Sequence, residues 1–100
     1  MYIVLYSFVV KSNREKEFVQ SWKALTELIY KHEGSLGSRL HKEADQHYIA
    51  YAQWPDKSKF ENSGHNLPDE AEFFRKLMRE SCKKIEIVKK LEVVDDKLRG

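Results

Sequence analysis

Several residue types are scarce in this chain of 100 residues, and each scarcity excludes a class of protein. The single cysteine, Cys82, cannot form an internal disulfide, which excludes a disulfide-stapled domain and favours a reducing, cytoplasmic setting. The four glycines form no phosphate-binding loop or dinucleotide fingerprint. No apolar run is long enough to span a bilayer, and no charged-then-apolar leader precedes the first strand. We therefore expect a soluble cytoplasmic protein that does not bind membranes.

Charge of one sign is also lacking. The net charge of +2 is small, and the lysines and arginines are spread along the chain, which argues against a nucleic-acid partner. The four histidines show no metal-ligand spacing, such as a pair four residues apart on a helix. The sequence therefore predicts neither a nucleic-acid interface nor a metal site.

The pattern of apolar residues predicts one domain over residues 1–95, followed by a polar tail at 96–100. Runs rich in β-branched and aromatic residues predict strands, and apolar residues at helical spacing predict helices. The predicted order is a strand at Tyr2–Lys11, a capping box at Ser12–Glu15, a helix to about His32, strands at Leu36–Lys42 and Tyr48–Trp54, a short helical turn through Phe60, a helix at Pro68–Cys82 and a strand at Lys84–Val94. This is the α+β, ferredoxin-like split β-α-β order, in which both main helices cover one face of an antiparallel sheet.

The same patterns predict which residues are buried. The predicted stripe is Phe18, Trp22, Leu25 and Ile29 on the first helix, which Gly34 ends in a left-handed conformation, and Phe73, Phe74, Leu77, Met78 and Cys82 on the second main helix. Plain alternation puts Ile87 and Leu91 on one face of the last strand, and Trp54 is predicted to be a core residue that meets the helices.

The other face of the predicted sheet is apolar. It would expose Ile3, Leu5, Val9, Ile49 and Tyr51, which alternate with residues directed at the helices. Burial of such a surface is worth roughly 25 cal/mol per Å², so leaving it in water is unfavourable. We expect two copies of the chain to pack these faces together as a homodimer.

Two other functional classes share this strand order. An RNA-recognition domain would carry a glycine-aromatic motif on the exposed sheet, and the strand ending at Trp54 has none. A small phosphatase of the acylphosphatase type would need a glycine-containing phosphate loop after the first strand, where this chain has Lys11-Ser12-Asn13-Arg14. Both classes are disfavoured.

The chain resembles the antibiotic biosynthesis monooxygenase family over nearly its whole length. The resemblance rests on Phe8-Val9-Val10-Lys11 ending the first strand, Glu17-Phe18 in the first helix, Glu33-Gly34 before the second strand, and Tyr51-Ala52-Gln53-Trp54 before a short helix. It implies a homodimeric α/β barrel with a pocket between each sheet and its helices or loops. It also implies a cofactor-independent monooxygenase, with no metal or flavin, that acts on a small aromatic or quinol-like substrate and dioxygen.

One branch of that family degrades haem and uses an Asn, a Trp and a His. The corresponding positions here are Ser7, near Ser63 and near Phe73, so none of the three matches. Two further alternatives stay open on the same scaffold, because fold does not determine function. One is a dimeric protein that binds a small molecule without catalysis, and the other is a cofactorless isomerase.

The proposed chemistry needs polar groups inside an apolar pocket, and the sequence offers several candidates. His41 is a candidate general base and Arg39 a candidate stabiliser of a phenolate, although both could simply be solvated. Tyr51 and Gln53 could orient a substrate hydroxyl, or pack in a dimer interface. The remaining candidates for contact with the substrate are Leu5, Ser7 and Ile49 on the strands, and His65 in a loop that could act as a lid.

Overall fold

A computed structural model describes residues 1–99 as a four-stranded antiparallel sheet with helices on one face. The strands lie in the order β2-β3-β1-β4. The elements are β1 (Tyr2–Val10), α1 (Glu15–Glu33), β2 (Gly37–Ala44), β3 (His47–Trp54), α2 (Lys57–Glu61), α3 (Glu70–Ser81) and β4 (Cys82–Glu92). The α+β ferredoxin-like prediction is confirmed, and the predicted element bounds differ from these by a few residues.

The core lies between the sheet and the helices and has two parts. One cluster surrounds Phe18 of α1, and the other surrounds Trp54 of β3. Tyr6 of β1 packs against both clusters and therefore lies between them. The predicted stripe of α1 is confirmed, since Phe18 and Leu25 are buried and Trp22 and Ile29 are partly buried against these clusters.

The predicted capping box at the start of α1 is wrong. The residue before the helix is Arg14, and its side chain makes no capping hydrogen bond. The Glu15 carboxylate instead accepts hydrogen bonds from the backbone N–H of Gln46, at 2.9 Å, and from the hydroxyl of Tyr48, at 3.1 Å. The Glu15 carboxylate therefore links α1 to the hairpin formed by β2 and β3 instead of capping its own helix.

A β-bulge in β4 changes which of its residues face the helices. Ile87 pairs with Tyr6 and Lys89 pairs with Leu5, so Val88 is the extra residue. Residues on the two sides of a bulge no longer alternate in phase, which places Leu91 opposite Ile3 on the face away from the helices. The prediction that Leu91 shares a face with Ile87 is therefore wrong.

Two predictions about burial are also wrong. Phe73, expected in the buried stripe of α3, is 65% exposed. Ile3, expected on a bare sheet face, is buried within the single chain, where it pairs with Gln53 on one side and Leu91 on the other.

The exit from α1 is as predicted. Gly34 adopts the left-handed conformation, with φ of 80°, that ends many helices and that residues with a Cβ rarely adopt. None of the helices within residues 1–99 is both long and apolar enough to cross a membrane. The cytoplasmic location stays a prediction.

Candidate functional site

Two cavities lie on opposite sides of the sheet. The helix-side pocket lies between the sheet and helices α1 and α3. The open-face cleft lies on the side of the sheet that carries no helix, over β2 and β3. Either cavity could receive a small molecule, and their linings differ in chemistry.

The helix-side pocket is an apolar cavity of about 190 Å³. Ala50 and Ala52 form its floor on β3, where they lie between the much larger Tyr48 and Trp54 on the same face. The lining includes residues of both core clusters. The full lining is Tyr6, Phe8, Trp22, Leu25, Thr26, Ile29, Ser35, Ser38, Ala50, Ala52, Trp54, Met78 and Ile85.

Trp54 is the most informative residue of this lining. Its side chain is 4% exposed, and its indole Nε1–H is a buried donor without a hydrogen-bond partner among the described residues. Leaving such a donor unpaired costs about 1–3 kcal/mol, so buried donors are almost always satisfied. An acceptor oxygen of a ligand would satisfy it if that oxygen came within hydrogen-bond distance of Nε1.

Tyr6 supplies a second polar group from the middle of β1. Its ring packs between the two core clusters, and burial raises the pKa of its hydroxyl. The hydroxyl is therefore protonated at neutral pH and is a donor rather than a base. The two serine hydroxyls of the lining are already engaged: Ser38 donates to the carbonyl oxygen of Tyr51 at 2.9 Å, and Ser35 accepts from the N–H of Gly37 at 2.9 Å.

The open-face cleft is more polar, with a volume of about 250 Å³. It is lined by Leu36, Gly37, Ser38, Arg39, Tyr51 and Gln53. Inside it, the side-chain amide of Gln53 donates to the hydroxyl oxygen of Tyr51 at 3.2 Å. Gly37 lies opposite Gln53 in the ladder and has no side chain to fill the space.

Seven of the eight residues predicted for the site share this open face. The ladder places Arg39, Tyr51 and Leu5 in one row across β2, β3 and β1. The neighbouring row holds His41, Ile49 and Ser7. Gln53 follows in the next row, opposite Ile3. The structure thus brings these seven residues together, although on the side of the sheet opposite the helix-side pocket.

His41 is exposed near the outer edge of this face. Its ring Nδ1 lies 3.2 Å from the carbonyl oxygen of Ile49, to which it donates when protonated. Arg39 is also exposed. A role for either residue in catalysis stays a prediction, and it would require a substrate on the open face.

His65, the eighth predicted residue, lies apart from the others in the loop between α2 and α3. The loop is attached to α1, because the buried carboxylate of Glu33 accepts hydrogen bonds from the backbone N–H of Gly64 and, at 3.1 Å, from the side chain of Asn66. His65 itself is exposed. Its role as part of a lid stays a prediction.

Sequence reasoning missed Tyr6 as a site residue and assigned Trp54 to the core alone. Trp54 is indeed buried in a core cluster, but its ring also lines the helix-side pocket. The usable signal was the pair of alanines at positions 50 and 52, on the core-facing side of a strand otherwise occupied by large residues. Small residues there leave room that neighbouring side chains need not fill.

Metal and thiol chemistry find no support in the described part of the chain. Residues 1–99 contain no group of three or more His, Cys, Asp or Glu side chains arranged to hold a metal ion. Cys82 is buried in the core, and burial raises the pKa of its thiol to about 11, which makes it a poor nucleophile.

Solved structures with this fold cover nearly the whole chain. A variant of SnoaB, a cofactor-independent oxygenase from Streptomyces nogalater, has a TM-score of 0.77 at 16% identity, covering 98% of this chain and 97% of SnoaB. A conserved protein from Methanosarcina mazei has a TM-score of 0.68 at 22% identity, with 87% and 89% covered. A protein from Mycobacterium tuberculosis has a TM-score of 0.73 at 12% identity, with 97% and 98% covered. At such identities the likeness establishes the fold.

The sequence itself identifies the family. No curated protein sequence matches the chain significantly. The profile of the antibiotic biosynthesis monooxygenase family, however, matches residues 1–67, which is two thirds of the chain and includes β1 to α2 with both Tyr6 and Trp54. This chain belongs to the antibiotic biosynthesis monooxygenase family.

Proposed function

We propose that the protein is a cofactor-independent monooxygenase that oxidises a small phenol to a quinone in the helix-side pocket. The observation that carries this proposal is the buried, unpartnered Nε1–H of Trp54 in the lining of an apolar cavity of about 190 Å³. Membership of the family supports the reaction class. The likeness to a cofactor-independent oxygenase supports chemistry without a metal or flavin.

The pocket is suited to stabilising an anion. A phenol oxygen placed near Trp54 and Tyr6 would accept hydrogen bonds from two donors, and such bonds are stronger to a phenolate than to a neutral phenol. No carboxylate or imidazole belongs to the lining as described. The substrate proton therefore passes to water rather than to a protein base, and the donors lower the cost of losing it.

The phenolate is the electron donor to dioxygen. One electron moves from the phenolate to O₂, and the resulting ring radical and superoxide combine to form a carbon–oxygen bond. The peroxide then loses water and leaves a quinone. One oxygen atom enters the product, the other leaves as water, and the substrate supplies all four electrons.

We also propose that the protein acts as a homodimer through the open face of its sheet. Leu5, Val9, Ile49 and Tyr51 are partly buried there in the single chain, and Leu91 remains 44% exposed. Packing this face against a second copy would remove apolar surface from water. The open-face cleft would then lie at or near the subunit boundary.

The alternative proposal is a dimer that binds a small phenol without turnover, or that isomerises it. The unpartnered Trp54 donor fits a bound ligand equally well in that case. The alternatives differ in what they consume: an oxygenase needs O₂, an isomerase does not, and a binding protein is stabilised by its ligand without changing it.

The test is oxygen uptake by chelator-treated protein with a panel of phenols, naphthols and hydroquinones. Uptake above the autoxidation rate, reduced in Trp54→Phe and Tyr6→Phe, is the expected result. His41→Ala and Tyr51→Phe on the opposite face are the matched comparison and should retain activity. Loss of uptake only in the latter pair would move the site to the open face. Binding without uptake across the panel would contradict the oxygenase.

A further inference from the structure

We infer that the substrate is an aromatic compound of one or two fused rings that carries no charged substituent, and that Ala50 and Ala52 set the size limit. This inference rests on the proposed function, because it assumes that the helix-side pocket receives the substrate. It adds the class of molecule and the residues that select it.

The lining of the helix-side pocket carries no charged side chain. None of the thirteen lining residues is a Lys, Arg, His, Asp or Glu. Trp54 and Tyr6 are the donors that the proposed function assigns to the phenol oxygen, and both are lining residues without a formal charge. A second charge, such as a ring carboxylate, would lose its hydration without gaining a partner, and that loss is large in an apolar site.

The volume of the helix-side pocket limits the size of the substrate. An apolar protein cavity of roughly 150 Å³ accommodates benzene. The helix-side pocket, at about 190 Å³, is moderately larger. One substituted ring fits this space, and a second fused ring fits with small movements of flexible lining residues such as Met78. Three fused rings exceed this volume.

Two alanines of β3 leave space for a ligand in this pocket. Ala50 pairs with Tyr6 and Leu40, and Ala52 pairs with Val4 and Ser38 across the sheet. Both alanines are buried, at 1% and 8% exposed. Their Cβ atoms face the pocket, so each added methyl group would occupy volume that the ligand needs. They are specificity-determining residues for ring size.

The experiment measures binding under nitrogen, where no turnover occurs. Phenol, p-cresol, 1-naphthol, 1-anthrol and 4-hydroxybenzoate are titrated into wild type, Ala50→Val, Ala52→Val and the control Ala44→Val, which changes an exposed residue at the end of β2. Circular dichroism verifies the fold of each variant. Ala52→Gly is a further variant with the opposite effect on volume, because it enlarges the pocket that the valine variants make smaller.

Wild type should bind p-cresol at least about tenfold more tightly than 4-hydroxybenzoate, since the two differ mainly in charge. It should bind 1-naphthol but not 1-anthrol. Ala50→Val and Ala52→Val should retain phenol and lose 1-naphthol, Ala44→Val should match wild type, and Ala52→Gly should gain affinity for 1-anthrol. Equal affinity for p-cresol and 4-hydroxybenzoate would overturn the charge limit. Unchanged 1-naphthol affinity in both valine variants would overturn the size limit, and no phenol binding at all would overturn both.

These outcomes are separable from failure of the proposed function. Phenol binding with the expected selectivity but no oxygen uptake would leave the inference standing and remove the oxygenase. Oxygen uptake that is as fast with 1-anthrol or 4-hydroxybenzoate as with p-cresol would support the oxygenase and overturn the inference about the substrate.

Discussion

The unpartnered indole of Trp54 leads to a prediction about acidity inside the helix-side pocket. The Nε1–H is buried and has no acceptor in the described chain. A hydrogen bond to a neutral acceptor contributes about 0.5–1.5 kcal/mol, whereas one to a charged group contributes about 1.5–3 kcal/mol. Trp54 should therefore favour a bound phenolate over the bound neutral phenol by about 1–1.5 kcal/mol.

That preference corresponds to about one pKa unit of the ligand. The pKa of a phenol bound to wild type should accordingly be about one unit lower than when it is bound to Trp54→Phe. Burial of the ligand acts in the opposite direction but is common to both proteins, because phenylalanine retains an apolar ring at this position. The indole N–H is the only polar group that differs between them.

The assay uses 4-nitrophenol, whose phenolate absorbs visible light and whose titration lies in an accessible pH range. Ligand is held below the protein concentration under nitrogen, and absorbance is followed against pH. Trp22→Phe is the matched control, since Trp22 also lines the pocket but its ring nitrogen is not a buried unpartnered atom. If Trp54→Phe and Trp22→Phe give the same pKa for the bound ligand, the donor assignment is refuted.

Three further predictions concern the scaffold. The hydrogen bond from the Gln46 N–H, and after it that from the Tyr48 hydroxyl, lowers the pKa of Glu15, so the ionised carboxylate stabilises the fold at neutral pH and this stabilisation is lost as pH falls through the lowered pKa. Glu15→Gln should therefore have a lower melting temperature than wild type at pH 7 but the same melting temperature in acid. A difference in melting temperature that does not change with pH would contradict this. Gly34→Ala, at φ of 80°, should lower the free energy of unfolding by about 1–2 kcal/mol in urea titrations, and no loss would argue against the left-handed helix exit. Leu5→Asp should convert a dimer to a monomer in light scattering, whereas a monomeric wild type would remove the dimer proposal.

Most of the fold was predictable because its signals are local. The β-branched and aromatic run of β1 and the helical spacing of Phe18 and Leu25 each depend on neighbours in sequence. The same holds for Gly34, whose conformation is needed by the helix that it ends. These features do not depend on how distant segments pair.

The wrong predictions depend on distant partners. Glu15 follows Ser12 by the spacing of a capping box, but its carboxylate binds residues more than thirty positions away. The bulge at Val88 exists only in the pairing of β4 with β1. A one-residue shift of this kind leaves no mark on the hydrophobic pattern and still exchanges the two faces of the strand.

The candidate site was the least predictable part, because the position of a pocket depends on how several elements pack together and not on any single residue. Polar residues on strands drew the prediction to the open face, where His41 and Tyr51 do lie near each other. Tyr6 and Trp54 read as ordinary core residues, and by burial they are. Several other core residues line the same pocket, and what distinguishes Trp54 is a buried ring N–H without an acceptor among the described residues, which no sequence pattern shows.

The Trp54 donor connects ligand binding with the proposed reaction. No protein group among the described residues accepts from the buried Nε1–H of Trp54, and Trp54 also lines the apolar helix-side pocket. A phenol that occupies the pocket and accepts from Trp54 would add apolar contacts and a hydrogen bond that the protein's own groups do not supply. Phenolate formation strengthens the same hydrogen bond. The donor thus favours the electron-rich anion, which in the proposed reaction is the form that transfers an electron to dioxygen.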